Sequence, residues 1–238
     1  MTTVLAVSPH LDDAVFSVGA LLARHAAAGA RVVVLTCFTA TMSDPQGFAL
    51  ACQLDKGLGP EIDYMALRRA EDIEACRLLG LEAQHLPLPE APHRGYGSAP
   101  ELFGGKHDDD RIGGALAPQL AALIAELDPD LILGPHGLGN HVDHLIVRET
   151  LAALGHSFVT WADLPYAARD NFVAPDGKRT PCGELFERKV VACAAYCSQF
   201  SFQFGTDAEL RRRISIGGDE ILYATAPAAR SSVTSSPA

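Results

Sequence analysis

The sequence predicts an α/β fold: a Rossmann-like, mostly parallel sheet with helices on both faces. Three observations predict it. Short apolar runs alternate with segments of helical period. Clusters of His and Asp stand just after apolar runs, at strand-to-helix turns. Two connections are too long for tight turns, and loops above ~12–15 residues in a compact domain are usually functional or disordered.

The elements follow in order. Residues 4–7 read as a buried strand, and 14–28 as a helix rich in Ala and Leu that Gly29 stops. Residues 31–38 form a valine-dense second strand. A helix over 67–79 is closed by Gly80, and 84–86 is a brief third strand. The alternation continues with a helix at 116–127, a strand at 130–133, a helix at 141–154 and a strand at 158–162. Beyond Tyr166 the pattern weakens to a helix at 184–196 and a strand at 221–225, and the Ala/Ser/Pro-rich tail from about 227 is expected to fray. No repeat and no linker interrupts residues 1–238, which predicts one domain. The long connections 38–63 and 87–114 leave the second and third strands. Ligands of open α/β sheets bind beyond the carboxyl ends of the strands. Both loops are therefore expected over one edge, with His93, Arg94 and Tyr96 available as substrate contacts.

Composition narrows the function. Hydrophobic residues make up 48% and charged residues 20%, as in a globular protein. A net charge of −10 argues against nucleic acid, whose binders carry basic patches. No run reaches the ~18–20 apolar residues of a membrane helix, and no basic segment precedes the first apolar run, so neither a membrane partner nor a signal peptide is expected. The six cysteines lack a CxxC pair; Cys193 and Cys197 would share a helix face, and packed free thiols are the expectation. These features fit the cytoplasm.

The sharpest motif is Ser8-Pro9-His10-Leu11-Asp12-Asp13, between the first strand and the first helix. Histidine and carboxylate are ligand types that zinc accepts. Adjacent carboxylates cannot easily address one atom, so one can hold a metal while the other handles a proton. The plainer reading is that the aspartates cap the helix; it leaves His10 without a purpose. The second motif is Gly139-Asn140-His141-Val142-Asp143-His144, with Asn140 as expected N-cap. Residues three apart share a helix face, so His141 and His144 can look into one site. His10, Asp13 and His144 would give the three protein ligands of a catalytic zinc. His107-Asp108-Asp109-Asp110 has the same spacing as the first motif but follows no strand; it reads as a solvated loop or a cap for the next helix. His136 reads as structural or pocket-lining, and His25, His85 and His156 have no constellation around them.

The pair His-x-Asp-Asp and His-x-Asp-His resembles the metal-dependent de-N-acetylases, the LmbE-like or PIG-L family. Its members include the glucosaminyl-phosphatidylinositol deacetylase and the deacetylases of mycothiol, bacillithiol and glycopeptide-antibiotic synthesis. Arg68, Glu71, Ala75, Leu79 and Gly80 are similar to the family's Arg-x-x-Glu helix, and Tyr196, Ser198 and Gln199 to its late Ser-Gln segment. The resemblance spans roughly residues 3–200. It implies a hydrolase that removes an N-acyl group, typically acetyl, from an amino sugar or similar small amide. It also implies one Zn²⁺ per chain, with Fe²⁺ as the alternative. His10, Asp13 and His144 would bind the metal, Asp12 would be the general base, His141 would polarise the carbonyl, and Asp143 would orient an imidazole, His141 foremost. Leu11 and Val142 stand where most members have proline. An amidase acting on thiol conjugates is the alternative within the class. A Mg²⁺-binding receiver-like or phosphatase-like module would leave the three histidines unused, and no GxGxxG turn supports a dinucleotide site. The small-molecule substrate and the oligomeric state are not specified by the sequence.

Overall fold

The structure is a computed structural model that describes residues 1–169 and 176–225. The frayed tail expected from about 227 lies outside the described residues. A seven-stranded sheet runs in the order β3-β2-β1-β4-β5-β7-β6. The strands are β1 (Thr3–Ser8), β2 (Arg31–Thr36), β3 (Glu82–His85), β4 (Leu131–Pro135), β5 (Val159–Trp161), β6 (Lys178–Pro181) and β7 (Asp219–Ala224). The first five are mutually parallel; β7 runs antiparallel to β5, and β6 antiparallel to β7.

Strand alternation divides the core. Val4 and Ala6 of β1, with Val32 and Val34 of β2, face α1 (Asp13–Ala27), α3 (Tyr64–Leu79) and α8 (Phe186–Ala194). Leu5, Val7, Val33 and Leu35 face the other way, onto α5 (Ile112–Leu127) and α6 (Val142–Ala153). Helices thus cover both faces, as expected for a parallel sheet whose strands are continuous apolar runs. Gly80 closes α3 in the left-handed conformation, φ 77°.

Both long connections carry short helices that the sequence concealed: α2 (Gly47–Leu54) in the first, and α4 (Ala99–Leu102) in the second. The remaining helices are α7 (Tyr166–Arg169), α9 (Cys197–Gln203) and α10 (Asp207–Arg213). The expected helix 184–196 is shorter. A 3₁₀ turn at Gly183–Leu185 leads into α8, which ends at Ala194, so Cys193 is buried on α8 and Cys197 exposed on α9, not on one face. All six cysteines are free.

The outer strands brace the first helix. Val18 leaves helical geometry inside α1, at φ −136°. The amides of Ala20 and Leu21 donate to the Glu220 carboxylate of β7 at 2.8 Å each, and the Lys189 ammonium donates to Glu220 at 2.7 Å. A side chain inserted into the helical ladder accounts for the kink.

Candidate metal centre

Strand order reverses between β1 and β4, with β2 on one side and β5 on the other. This is the switch point where α/β sheets open a crevice. His10, Asp12 and Asp13 leave the end of β1, and His141, Asp143 and His144 leave β4, so the two motifs converge there. The ring nitrogens of His10, His141 and His144 come within 4.8 Å of one another.

The first turn is held in an unusual conformation. Ser8 Oγ donates to the His10 carbonyl at 2.7 Å and accepts the Ala14 amide at 3.1 Å. Asp13 Oδ2 accepts the His10 amide at 2.9 Å. Asp12 sits at φ 139°, where L-residues are strained, and its carboxylate makes no capping bond. The capping explanation therefore fails for Asp12. Strain of this kind persists where surrounding structure over-determines it. In the second turn the N-cap is His141, not Asn140: its Nδ1 accepts the Asp143 amide at 3.2 Å.

Hydrogen bonds behind each imidazole fix what it presents to the centre. His144 Nδ1 lies 2.7 Å from Asp163 Oδ1. His10 Nε2 lies 2.9 Å from Asp143 Oδ2. A neutral ring in each place keeps its proton toward the carboxylate, leaving His144 Nε2 and His10 Nδ1 as lone pairs. Those two nitrogens lie 3.2 and 3.1 Å from Asp13 Oδ2. His144 Nε2 is buried and makes no hydrogen bond. Donors spaced like this suit a common ion at roughly 2 Å from each, so the residues fit a metal. His141 is the reverse case. Its Nδ1 is occupied by a backbone N–H, so its proton sits on Nε2, and it offers a donor rather than a ligand.

In the metal-free chain these buried groups perturb one another, and an ion would have to displace the proton held on His144. Burial pushes the Asp12 carboxyl up to about 8, against the pull of Arg68. Burial also lowers His141 to about 3, with the His10 charge adding to it, so this ring is neutral. Burial opposes charge on His144, yet Asp13 and Asp163 hold it at about 9. Burial likewise opposes ionisation of Asp13, and His144 and His10 outweigh it, keeping Asp13 well below the usual carboxylate range.

Several expectations need correction. Asp143 does not orient His141 through its carboxylate; that carboxylate takes His10 and the Ala91 amide on Oδ2 and Arg94 on Oδ1. Arg94 and Tyr96 are not substrate contacts, because both are turned inward onto Asp110. Asp110 caps α5 through the Ile112 amide as anticipated, but it is also buried against Arg94, whereas Asp108 and Asp109 are exposed. Arg68 and Glu71, on the same helix, face different partners. Arg68 reaches the Leu11 carbonyl at 2.9 Å, Asp12 at 3.4 Å and Glu90 at 2.7 Å, while Glu71 accepts both the amide and the hydroxyl of Ser198. His85 does have a partner, Asp72, which also accepts Tyr196 Oη at 2.6 Å. His136 bonds Thr160 and stays structural. Asp163 escaped the sequence reading; its one signal was an acidic residue just past the end of a strand.

A cavity of about 470 Å³ opens over the centre. Both long connections line it, the first with Phe48 and Lys56, the second with His93 and Phe103, and α9 adds Gln199 and Phe202.

Residues 5–154 match the family model described as GlcNAc-PI de-N-acetylase, PIG-L. The chain belongs to this family. It is 35% identical over 182 residues to a 2'-N-acetylparomamine deacetylase of Streptomyces fradiae, covering 74% of this chain and 61% of that protein. It is 32% identical over 177 residues to a 1D-myo-inositol 2-acetamido-2-deoxy-alpha-D-glucopyranoside deacetylase of Corynebacterium glutamicum (strain R), covering 67% and 55%. The chain thus matches about three fifths of the length of these curated relatives. Among solved structures it resembles the zinc-inhibited form of teicoplanin deacetylase Orf2, with TM-score 0.82, 28% identity and coverage of 97% and 100%. It also resembles the A40926 pseudoaglycone deacetylase Dbv21, with TM-score 0.80, 30% identity and coverage of 96% and 98%. Both solved structures share the fold of this chain.

Proposed function

We propose that this PIG-L protein is a zinc-dependent N-deacetylase that hydrolyses the N-acetyl amide of an amino sugar or amino-sugar glycoconjugate in the cytoplasm. The observation that carries it is the set of hydrogen bonds behind the histidines. They leave two imidazole lone pairs and the Asp13 carboxylate facing one point, and turn a third imidazole, His141, into a donor beside it. In this reading His10, Asp13 and His144 hold the ion. Bound there, zinc supplies Lewis-acid chemistry and lowers the pKa of water toward ~7.

The chain's own residues do the rest. Asp12 accepts the proton of the attacking water, with Arg68 alongside to favour its ionised form. It then returns the proton to the leaving nitrogen, so acetate and free amine depart without a covalent enzyme intermediate. His141 donates Nε2–H to the carbonyl oxygen as that atom becomes an oxyanion, an interaction that strengthens toward the transition state. Because burial keeps His141 neutral, it can donate this bond without being able to surrender a full proton near neutrality. The cavity is larger than an acetamido group needs, and its aromatic wall suits the remainder of a glycoside. The test is acetate release from a panel of N-acetyl amino sugars and glycosides, before and after chelation and zinc addition. Absence of release from every compound by zinc-loaded protein would overturn the reading.

A further inference from the structure

The segment between Arg94 and Asp110 contains the second His-x-Asp-Asp sequence, which the chemistry above does not use. Its side chains nonetheless reach the centre. The Arg94 guanidinium donates to Asp143 Oδ1 at 2.7 Å and to Asp110 Oδ2 at 3.0 Å, and its Nη1 donates to the Pro89 carbonyl at 2.8 Å. It lies over the Phe38 ring at 5.1 Å, and Phe38 in turn meets His10 at 6.3 Å. Asp110 is held from the far side by Tyr96 Oη, at 3.0 Å. The same hydroxyl accepts the His107 amide at 2.9 Å, and the Tyr96 and His107 rings stack at 3.9 Å. A planar guanidinium can serve two carboxylates at fixed angles, which an ammonium cannot.

The chain of contacts ends on a metal ligand. Asp143, with no exposed side-chain surface, has one oxygen on Arg94 and the other on His10 Nε2 and the Ala91 amide. Arg94 therefore decides which way the Asp143 carboxylate is turned, and Asp143 decides which nitrogen His10 offers.

We propose that Arg94 is a positioning residue for the metal centre: by bonding Asp143 Oδ1 it turns Oδ2 onto His10 Nε2 and so holds His10 with Nδ1 toward the ion. This rests on the metal-centre reading, so the unaltered protein is measured first. If it binds no zinc in competition with a chromophoric chelator, the metal-centre reading fails and the clamp with it. If it binds zinc, Arg94→Met should weaken binding by about 10-fold, the low end of what losing a ligand's own hydrogen-bond partner costs, because Arg94 acts on His10 through Asp143. Arg94→Lys, which keeps charge but cannot bridge, should lie between. Asp110→Asn leaves the Asp143 contact in place and should lower the melting temperature with zinc affinity within about three-fold. Circular dichroism establishes that each variant is folded. If Arg94→Met does not fold, the Lys and Asn variants decide. A folded Arg94→Met or Arg94→Lys with unaltered zinc affinity, or an Asp110→Asn that loses zinc as far as the Arg94 variants do, would make Arg94 a structural brace and overturn the proposal.

Discussion

Asp12 and Asp13 are neighbours of one residue type, and their surroundings separate them. Asp13 lies between two imidazole nitrogens, while Asp12 is strained, buried and turned toward Arg68. Asp12→Asn should keep zinc and lose about 10²–10⁴ in turnover, since a carboxamide accepts no proton near neutrality. Asp13→Ala should lose zinc and turnover together. Zinc content and kcat on the same preparations check both; loss of zinc from the Asp12 variant alone would exchange the roles. Asp12 also gives a pH signature in metal-free protein. Its folded pKa, about 8, is above the unfolded value of about 3.9. Its contribution to stability is intact below pH ~4 and lost as the pH rises through about 8. Asp12→Asn cannot ionise, so its stability relative to the parent should rise between those limits. Denaturant midpoints across the range provide the measurement, and a constant difference would contradict the buried-acid assignment. At this scale the sequence displayed donor types but not directions. His10 and His144 stood out in the sequence as candidate ligands from their motifs. The partner of Asp143 was not, because carboxylate rotation depends on Arg94, brought in from a distant loop.

The elements that were legible share one property: they are long or apolar enough to announce their period. The strands β1 and β2 are near-continuous runs of Val, Leu and Ala, and α3 ends at a glycine that adopts the left-handed conformation. The short elements were hidden for physical reasons. At eight residues, α2 spans barely two turns amid Gly and Pro. Strand β6 is a polar edge strand, Lys-Arg-Thr-Pro, paired on one side only, so it shows no buried alternation. The kink in α1 was invisible because its cause, Glu220, lies two hundred residues away. That brace makes a stability prediction. Lys189→Met leaves Glu220 buried beside a broken ladder without its counter-charge and should cost about 3–5 kcal/mol. Adding Glu220→Gln should recover part of the loss, since an amide oxygen can still accept from Ala20 or Leu21. Urea unfolding of the single and double variants checks this; an additive double variant would deny the coupling.

On the scale of the molecule, the sheet order delivers both motifs to one crevice, and this much the strand-and-helix alternation foretold. The cavity wall was foretold in position but not in content, since part of it comes from the short helices α2 and α9. Met42, Phe103 and Phe202 are all 38% exposed or more, and all three line the cavity. Apolar side chains gathered at a mouth mark a ligand surface. Phe103→Ala should therefore raise KM by roughly ten-fold, the equivalent of ~1.4 kcal/mol of lost contact, with zinc content unchanged. Steady-state kinetics on the best substrate of the panel would show it, and an unaltered KM would assign the aromatic rim no part in recognition.

The placement of α9 extends this point. The proposed ligands His10, Asp13 and His144 all fall within residues 5–154, while Gln199 and Phe202 enter the cavity from α9, which is fastened to α3 by the Ser198–Glu71 bonds. Part of the cavity wall is thus written on a later stretch of polypeptide than the proposed ligands, and α9 is also tied to α3 by Gln199, which donates to Tyr64 Oη. A graft of residues 197–203 from a relative with another preference, provided Ser198 is kept, would carry across the α9 share of selectivity while the proposed metal centre stays in place. Lineages could diversify by the same route, altering a late helix and leaving the ancestral chemistry unedited.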